Sequence, residues 1–294
     1  MRLYASSTFE DLPKMIIRDF VERAEEVDVG EWQSRDIKGD RSKVTWELRE
    51  ASLHFGLINS IVGAAQAIQP NLPWAEDHFR ERVGGEPLNP PPSQAWWPFA
   101  QEGHKDHLVG GKFSHTYPER FWPKHAAHDR SNCPHVAEMQ DGKDSGYYSN
   151  SWGCSYGDHR GVRFEYGDYN DVIDRLVKNP LTRQAYLPIY FPEDNGVPEG
   201  ERVPCTLGYL FMVRNNQLHL TYYMRSCDFM RHWRDDVYMA NRLAIDAMDQ
   251  LNYHLSPDHP QITLGDMAMH IGSLHVFEGD MAMLEYLHKE NKNA

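Results

Sequence analysis

The sequence predicts an α+β fold, with an antiparallel-rich mixed sheet and one long buried helix. Three stretches carry this. Between Cys205 and Ser226, two β-rich runs flank Asn-Asn-Gln, the composition of a tight hairpin turn. In "DDVYMANRLAIDAMDQLNYHL", Val237, Ala240, Leu243, Ala244, Ala247, Met248 and Leu251 recur at helical spacing and mark one apolar face. The closing run "QITLGDMAMHIGSLHVF" has strand character.

The remaining elements follow in chain order. From Phe9 to about Val27, Leu12, Met15, Ile16, Phe20, Val21 and Ala24 fall on one helical stripe. "GDRSKVTWELREASLHF" reads as a turn feeding an extended segment. "INSIVGAAQAI" is apolar throughout and suits either a helix or a buried strand. "PWAEDHFRERVGG" predicts a short helix stopped by glycines, and "GGEPLNPPPSQ" a loop dense in breakers. The region of about 124–160 is rich in His, Gly, Ser and Asn without clear periodicity, as expected of a loop insertion. "DYNDVIDRLVKNP" predicts a helix closed by Pro180. With no internal repeat or low-complexity tract, residues 1–294 read as a single domain.

The composition is that of an ordinary globular chain, 40% hydrophobic and 25% charged. No run of eighteen apolar residues is present, and the opening "MRLYASSTFEDLPKM" lacks the apolar core of a signal peptide. Four cysteines in 294 residues do not make a disulfide framework, so a cytoplasmic location is expected. A formal net charge of −13 argues against a broad nucleic-acid surface. It leaves room for a small phosphorylated ligand held by a few arginines.

Cys205 follows Pro204 at the head of an apolar strand. A cysteine so placed is either packing or a nucleophile, and the second role requires positive charge nearby, which Arg183 and Arg225 would supply if the strands bring them close. Cys227 reads as strand packing. His125, His128, Cys133 and His135, with Cys154 and His159 beyond, are zinc-ligand types, but their spacing matches no common zinc pattern. They read as part of the insertion, and no metal is expected.

The order of short motifs is more telling than any one of them. "NPLTR" (Asn179 to Arg183), "PC" (Pro204, Cys205), "RSCD" (Arg225 to Asp228) and "GSLHVF" (Gly272 to Phe277) occur in series. This series resembles the thymidylate synthase superfamily over about Asp40 to Phe277. Upstream, "DRS" (Asp40 to Ser42) is similar to the family's phosphate loop, and "GKFSHTYPERFW" to a Gly…Tyr-Gly…Trp stretch with Pro118 in place of Gly. "AWWPF" is similar to the cofactor-site tryptophan segment and points to Trp96. "EDHF" resembles the segment of the catalytic glutamate and points to Glu76, with Glu81 as the fallback.

The resemblance implies a thymidylate synthase-like fold whose sheet face forms a homodimer interface. It implies a Cys205 thiolate that adds to C6 of a pyrimidine nucleotide, so that C5 takes a one-carbon unit from 5,10-methylenetetrahydrofolate. Glu76 would order water and relay protons. Arg41, Arg225 and Ser226 would hold the monophosphate together with Arg183 from the partner subunit, where Gln184 stands in place of a second arginine. Asp228 would serve substrate and cofactor, Trp96 would face the folate, and His275 would contact the sugar. Phe277 replaces the family's tyrosine, which leaves deoxyribose and ribose both open.

One departure bears on the base. Thymidylate synthases carry an asparagine eleven residues after the arginine of "RSCD", and here that residue is Asp236. A carboxylate accepts from a cytosine N4 amino group but opposes uracil O4. Aspartate here is the mark of the family's deoxycytidylate hydroxymethylases, and Thr206 after the cysteine and "GSLHVF" agree with that branch. The expectation is therefore conversion of dCMP to 5-hydroxymethyl-dCMP, as in phage DNA modification. The alternatives are dCMP C5-methylation, a CMP hydroxymethylase and, third, an enzyme acting on dUMP. A catalytically dead nucleotide binder is the rival of another class.

Overall fold

The computed structural model describes residues 2–32, 35–99, 108, 110–126, 167–196 and 202–293. The expected insertion lies almost wholly outside them, as do His128, Cys133, His135, Cys154 and His159. Strand β1 (Arg2–Ala5) leads into α1 (Leu12–Arg23), whose apolar stripe is buried at Leu12, Ile16 and Phe20. The helix predicted to run to Val27 ends earlier, and β2 (Glu25–Val27) follows. A small hairpin pairs β3 (Glu31–Trp32) with β4 (Arg35–Asp36). Strand β5 (Thr45–Gly56) comes next, then α2 (Ile61–Ile68), where helix prevails in the ambiguous apolar run because Ser60 caps it on the Gly63 amide.

Helix α3 (Trp74–Val83) ends at Gly84 and Gly85, the second with φ +87°, the stop the sequence anticipates. A short α4 (Tyr117–Phe121) opens with a reciprocal Thr116–Glu119 cap. Helix α5 (Tyr169–Lys178) precedes β6 (Tyr186–Pro188). Strands β7 (Thr206–Arg214) and β8 (Gln217–Asp228) form the predicted hairpin. Its two turn residues, Asn215 and Asn216, both adopt positive φ (52° and 58°), as a two-residue hairpin turn demands. Helix α6 (Trp233–His254), β9 (Thr263–Phe277) and α7 (Met281–Asn293) complete the chain.

The main sheet runs β1-β5-β9-β8-β7-β6, with β2 also pairing β5. Among the described residues four of its pairings are antiparallel, while β1–β5 and β8–β9 are parallel. Helix α6 is the crossover between parallel β8 and β9 and packs on the sheet through Val237, Ala240, Leu243, Ala244 and Leu251. This crossover positions the site: it sets the first turn of α6 directly after the end of β8. No helix among the described residues is long and apolar enough to cross a membrane.

Candidate active site

A cavity of about 210 Å³ opens where the ends of β7 and β8 meet the start of α6, facing α3 and the loops after it. Cys205 lines it, half-buried, with a free thiol. The Arg225 amide donates to the Cys205 carbonyl across the hairpin at 2.9 Å. The Arg225 guanidinium donates to the carbonyls of Pro204 (2.8 Å) and Val203 (3.1 Å), which clamps the segment that carries the cysteine. Its Nη2 lies 3.7 Å from the sulfur, and Ser226 Oγ 3.6 Å. Two donors thus converge where an attacking thiolate carries its charge.

The other cavity residues of this wall follow from strand and helix register. Asp228 ends β8, accepts from the Met230 and Arg231 amides (both 3.1 Å), and burial pushes its carboxyl up to about 7. Asp236 lies in the first turn of α6, lines the cavity, and accepts from the Cys227 thiol at 3.7 Å. Burial raises its carboxyl to about 7, Asp235 adds to the rise, and Arg82 opposes it. Asp236 therefore exchanges its proton near neutrality. Cys227 is packed and buried, and burial drives its thiol far up. Thr206 bonds the hydroxyls of Tyr222 (2.8 Å) and Tyr117 (3.2 Å).

The opposite wall is lined by residues other than those expected there. Helix α3 presents Trp74, His78 and Arg82 to the cavity, at four-residue spacing. Glu76, expected as the catalytic acid, stands two residues from His78 and so points elsewhere. Its carboxylate is held by Arg242 (2.9 and 3.1 Å), Tyr238 (2.9 Å) and Arg80 (3.1 Å), and these bonds outweigh burial to keep it below its ordinary value. Glu81, the fallback, does not line the cavity either; it accepts from the Ser93 amide and hydroxyl and lies 3.2 Å from His78 Nδ1. Trp96 is 47% exposed and donates to Asp77, whereas Trp97 lines the cavity. In the short helical turn that carries both, adjacent residues point apart.

The residues expected to hold a phosphate are only partly brought together. Arg225 and Ser226 are together beside Cys205, although Arg225 is not part of the cavity lining. Arg41 is exposed and pairs with Glu26 at 2.6 Å, away from the cavity. Arg183 is exposed in the turn after α5, and Gln184 bonds Arg175. His275 pairs with Asp228 across β8–β9, does not line the cavity, and keeps Nδ1 buried without a partner. His125 is exposed, 3.8 Å from Asp168, and the described residues hold no group of metal-ligating side chains.

Sequence reading missed Trp74, His78, Arg82, Trp97, Tyr117, Arg202 and His232. Their rings form a continuous band: Trp97 stacks on His232 (5.6 Å), Trp74 lies against Trp97 (6.3 Å) and stacks on His78 (5.2 Å), and Tyr117 meets His78 edge-on. A flat heterocycle fits such a band, with Asp228 at its edge as a polar handle. The four-residue periodicity of α3 was the available signal for Trp74, His78 and Arg82.

No curated protein matches the chain. The thymidylate synthase family model matches residues 120–293, more than half of the chain, which takes in β6 to β9, α6 and every residue of the Cys205 wall. The chain belongs to the thymidylate synthase family and is a one-carbon transferase, of the kind that modifies C5 of pyrimidine nucleotides with methylenetetrahydrofolate.

Proposed function

We propose that this chain is a deoxycytidylate C5-hydroxymethyltransferase in which Cys205 forms the covalent bond to C6 and Asp236 reads and protonates the base. One observation carries the reading: Asp236 lines the same cavity as Cys205, and burial sets its carboxyl at about 7, so that it gives up a proton near neutrality and becomes a carboxylate that accepts from a protonated cytosine N3 and from the N4 amino group but opposes uracil O4. A neutral carboxyl offers one donor and one acceptor side by side. It donates to cytosine N3 and accepts from the N4 amino group. As the thiolate adds to C6, N3 becomes more basic, the proton passes to it, and the resulting carboxylate keeps both contacts. An asparagine amide can pair with the same edge but has no proton to surrender.

Methylenetetrahydrofolate, when bound, supplies a one-carbon unit at the oxidation level of formaldehyde. The Trp97–Trp74 band and Asp228 would hold its ring. Arg225 and Ser226 would receive the nucleotide phosphate, with Arg183 contributed by a second copy of the chain across the sheet face that bears Met212, Thr221, Tyr223 and His270. Hydroxymethylation requires a water-activating group rather than hydride transfer, and it is the reading favoured here over methylation.

The test is turnover with methylenetetrahydrofolate and each of dCMP, CMP and dUMP, with products identified by mass. A hydroxymethyl product from dCMP supports the proposal. A methyl product moves the function to cytosine methylation, and turnover of dUMP alone defeats the role given to Asp236.

A further inference from the structure

We infer that His78, oriented by Glu81, is the general base that takes the proton from water as it adds to the one-carbon group at C5 of the substrate. The inference rests on the hydroxymethylation proposed above and names the group that distinguishes it from methylation.

The geometry fixes both the ring and its tautomer. His78 Nδ1 lies 3.2 Å from a Glu81 carboxylate oxygen and 3.1 Å from Ser93 Oγ. The Ser93 hydroxyl already donates to Glu81, so both neighbours of Nδ1 act as acceptors. Nδ1 therefore carries the proton, and in the neutral ring Nε2 keeps a free lone pair. The ring itself is held by stacking on Trp74 at 5.2 Å and 16° and by the edge of Tyr117 at 6.3 Å and 88°. Tyr117 in turn bonds Thr206, the neighbour of Cys205, so base and nucleophile are linked through one rigid contact chain.

Two other histidines line the cavity, and their surroundings exclude them. His115 bonds the Arg202 carbonyl but sits among Arg120, Arg202 and Arg225, and His232 faces Arg202 and Arg231. Burial first, and these cations second, oppose an imidazolium at both. Burial and Arg82 hold the His78 imidazole down at about 4, so it is neutral and able to accept a proton near pH 7, and among the three only His78 has a carboxylate partner that opposes this lowering. Two carboxylates of α3 have different partners: Glu76 is tied to Arg242, and Glu81, held by Ser93, faces His78.

The step balances as follows. A water O–H bond breaks, and its proton goes to His78 Nε2. The oxygen bonds to the methylene carbon attached to C5, the electron pair of that exocyclic double bond restores C5=C6, and the C6–S bond breaks with its pair returning to the Cys205 thiolate. The imidazolium then releases its proton to solvent. Glu81 acts through His78 and is a positioning residue.

Two measurements test this. Nitrogen-15 NMR of the unmodified protein should show His78 protonated at Nδ1, and protonation at Nε2 would overturn the inference. His78→Gln should still form a Cys205 adduct with 5-fluoro-dCMP, read by intact mass, while hydroxymethyl product falls at least about 100-fold. His78→Ala should regain part of its rate with added imidazole, which a packing role would not produce. If His78→Gln forms the adduct and turns over within about three-fold of the parent, the base is another group and the proposed function stands. If the parent itself gives neither adduct nor product, the proposed function fails and this inference with it.

Discussion

The two walls of the cavity differ in how they are built, and the difference shows what short motifs can specify. On the β7–β8–α6 wall, Cys205, Ser226, Asp228 and Asp236 converge, all read from spacing along the chain. On the α3 wall, the residues expected at the site, Glu76 and Trp96, turn away, and His78 and Trp97 face inward instead. The first wall is a hairpin followed at once by a helix. The two-residue turn fixes the hairpin register as far as Gly208 and Tyr223, and a bulge between Thr206 and Gly208 then shifts it by one residue, which brings Cys205 opposite Arg225. The second wall depends on the rotational phase of a helix, where an error of two residues moves a side chain to the far side.

The largest expected effect belongs to the first wall. Cys205→Ala should lower turnover by at least about 10⁴-fold, since the covalent route is lost outright. Retained turnover would break the comparison at its strongest point.

Asp236→Asn comes next. Turnover of dCMP should fall about 100-fold, the usual loss for a missing proton donor, with much smaller loss of binding. The pH dependence should change as well. Because the reaction uses protonated Asp236, and burial sets its carboxyl at about 7, the parent should lose kcat/KM for dCMP as pH rises through that value. That alkaline limb should be absent from Asp236→Asn, as a pH-rate profile would reveal.

The second wall is sharpened by paired variants. Trp97→Ala should raise the KM for methylenetetrahydrofolate by roughly ten-fold, and Trp96→Ala by less than about two-fold. Equal effects would mean that both rings reach the cofactor. Glu76→Gln should leave kcat within about three-fold yet cost about 3 kcal/mol of stability in urea unfolding, because it leaves Arg242 without its buried partner.

A last effect concerns Asp228. Its folded-state carboxyl is raised by burial to about 7, so its contribution favours the folded state below the ordinary carboxylate range and is lost as pH rises through about 7. Asp228→Asn should therefore gain stability relative to the parent between pH 5 and pH 8, on the order of 2 kcal/mol.

Much of the fold was legible because its signals are local. The Asn215–Asn216 turn, the Gly84–Gly85 stop and the apolar face of α6 each act within a few residues. The parallel pairing of β8 with β9 was not, since it depends on where the α6 crossover returns the chain. Within the site, Asp236 was legible by counting from Arg225, because β8 and α6 are nearly continuous. Glu76 lies outside the cavity because its carboxylate has a competing partner in Arg242, 166 residues away in sequence, which the short motif around it does not reveal. Arg41 is likewise held on the surface, by Glu26. The family match begins at residue 120, so these upstream assignments had no support beyond resemblance.

The most direct test of the central claim is competition for Cys205. The protein, given equal 5-fluoro-dCMP and 5-fluoro-dUMP with methylenetetrahydrofolate, would be examined by intact mass and then by peptide mapping. The account predicts one adduct, of cytosine mass, on the peptide that carries Cys205. An adduct of uracil mass there, or a modification on any other residue, would contradict it.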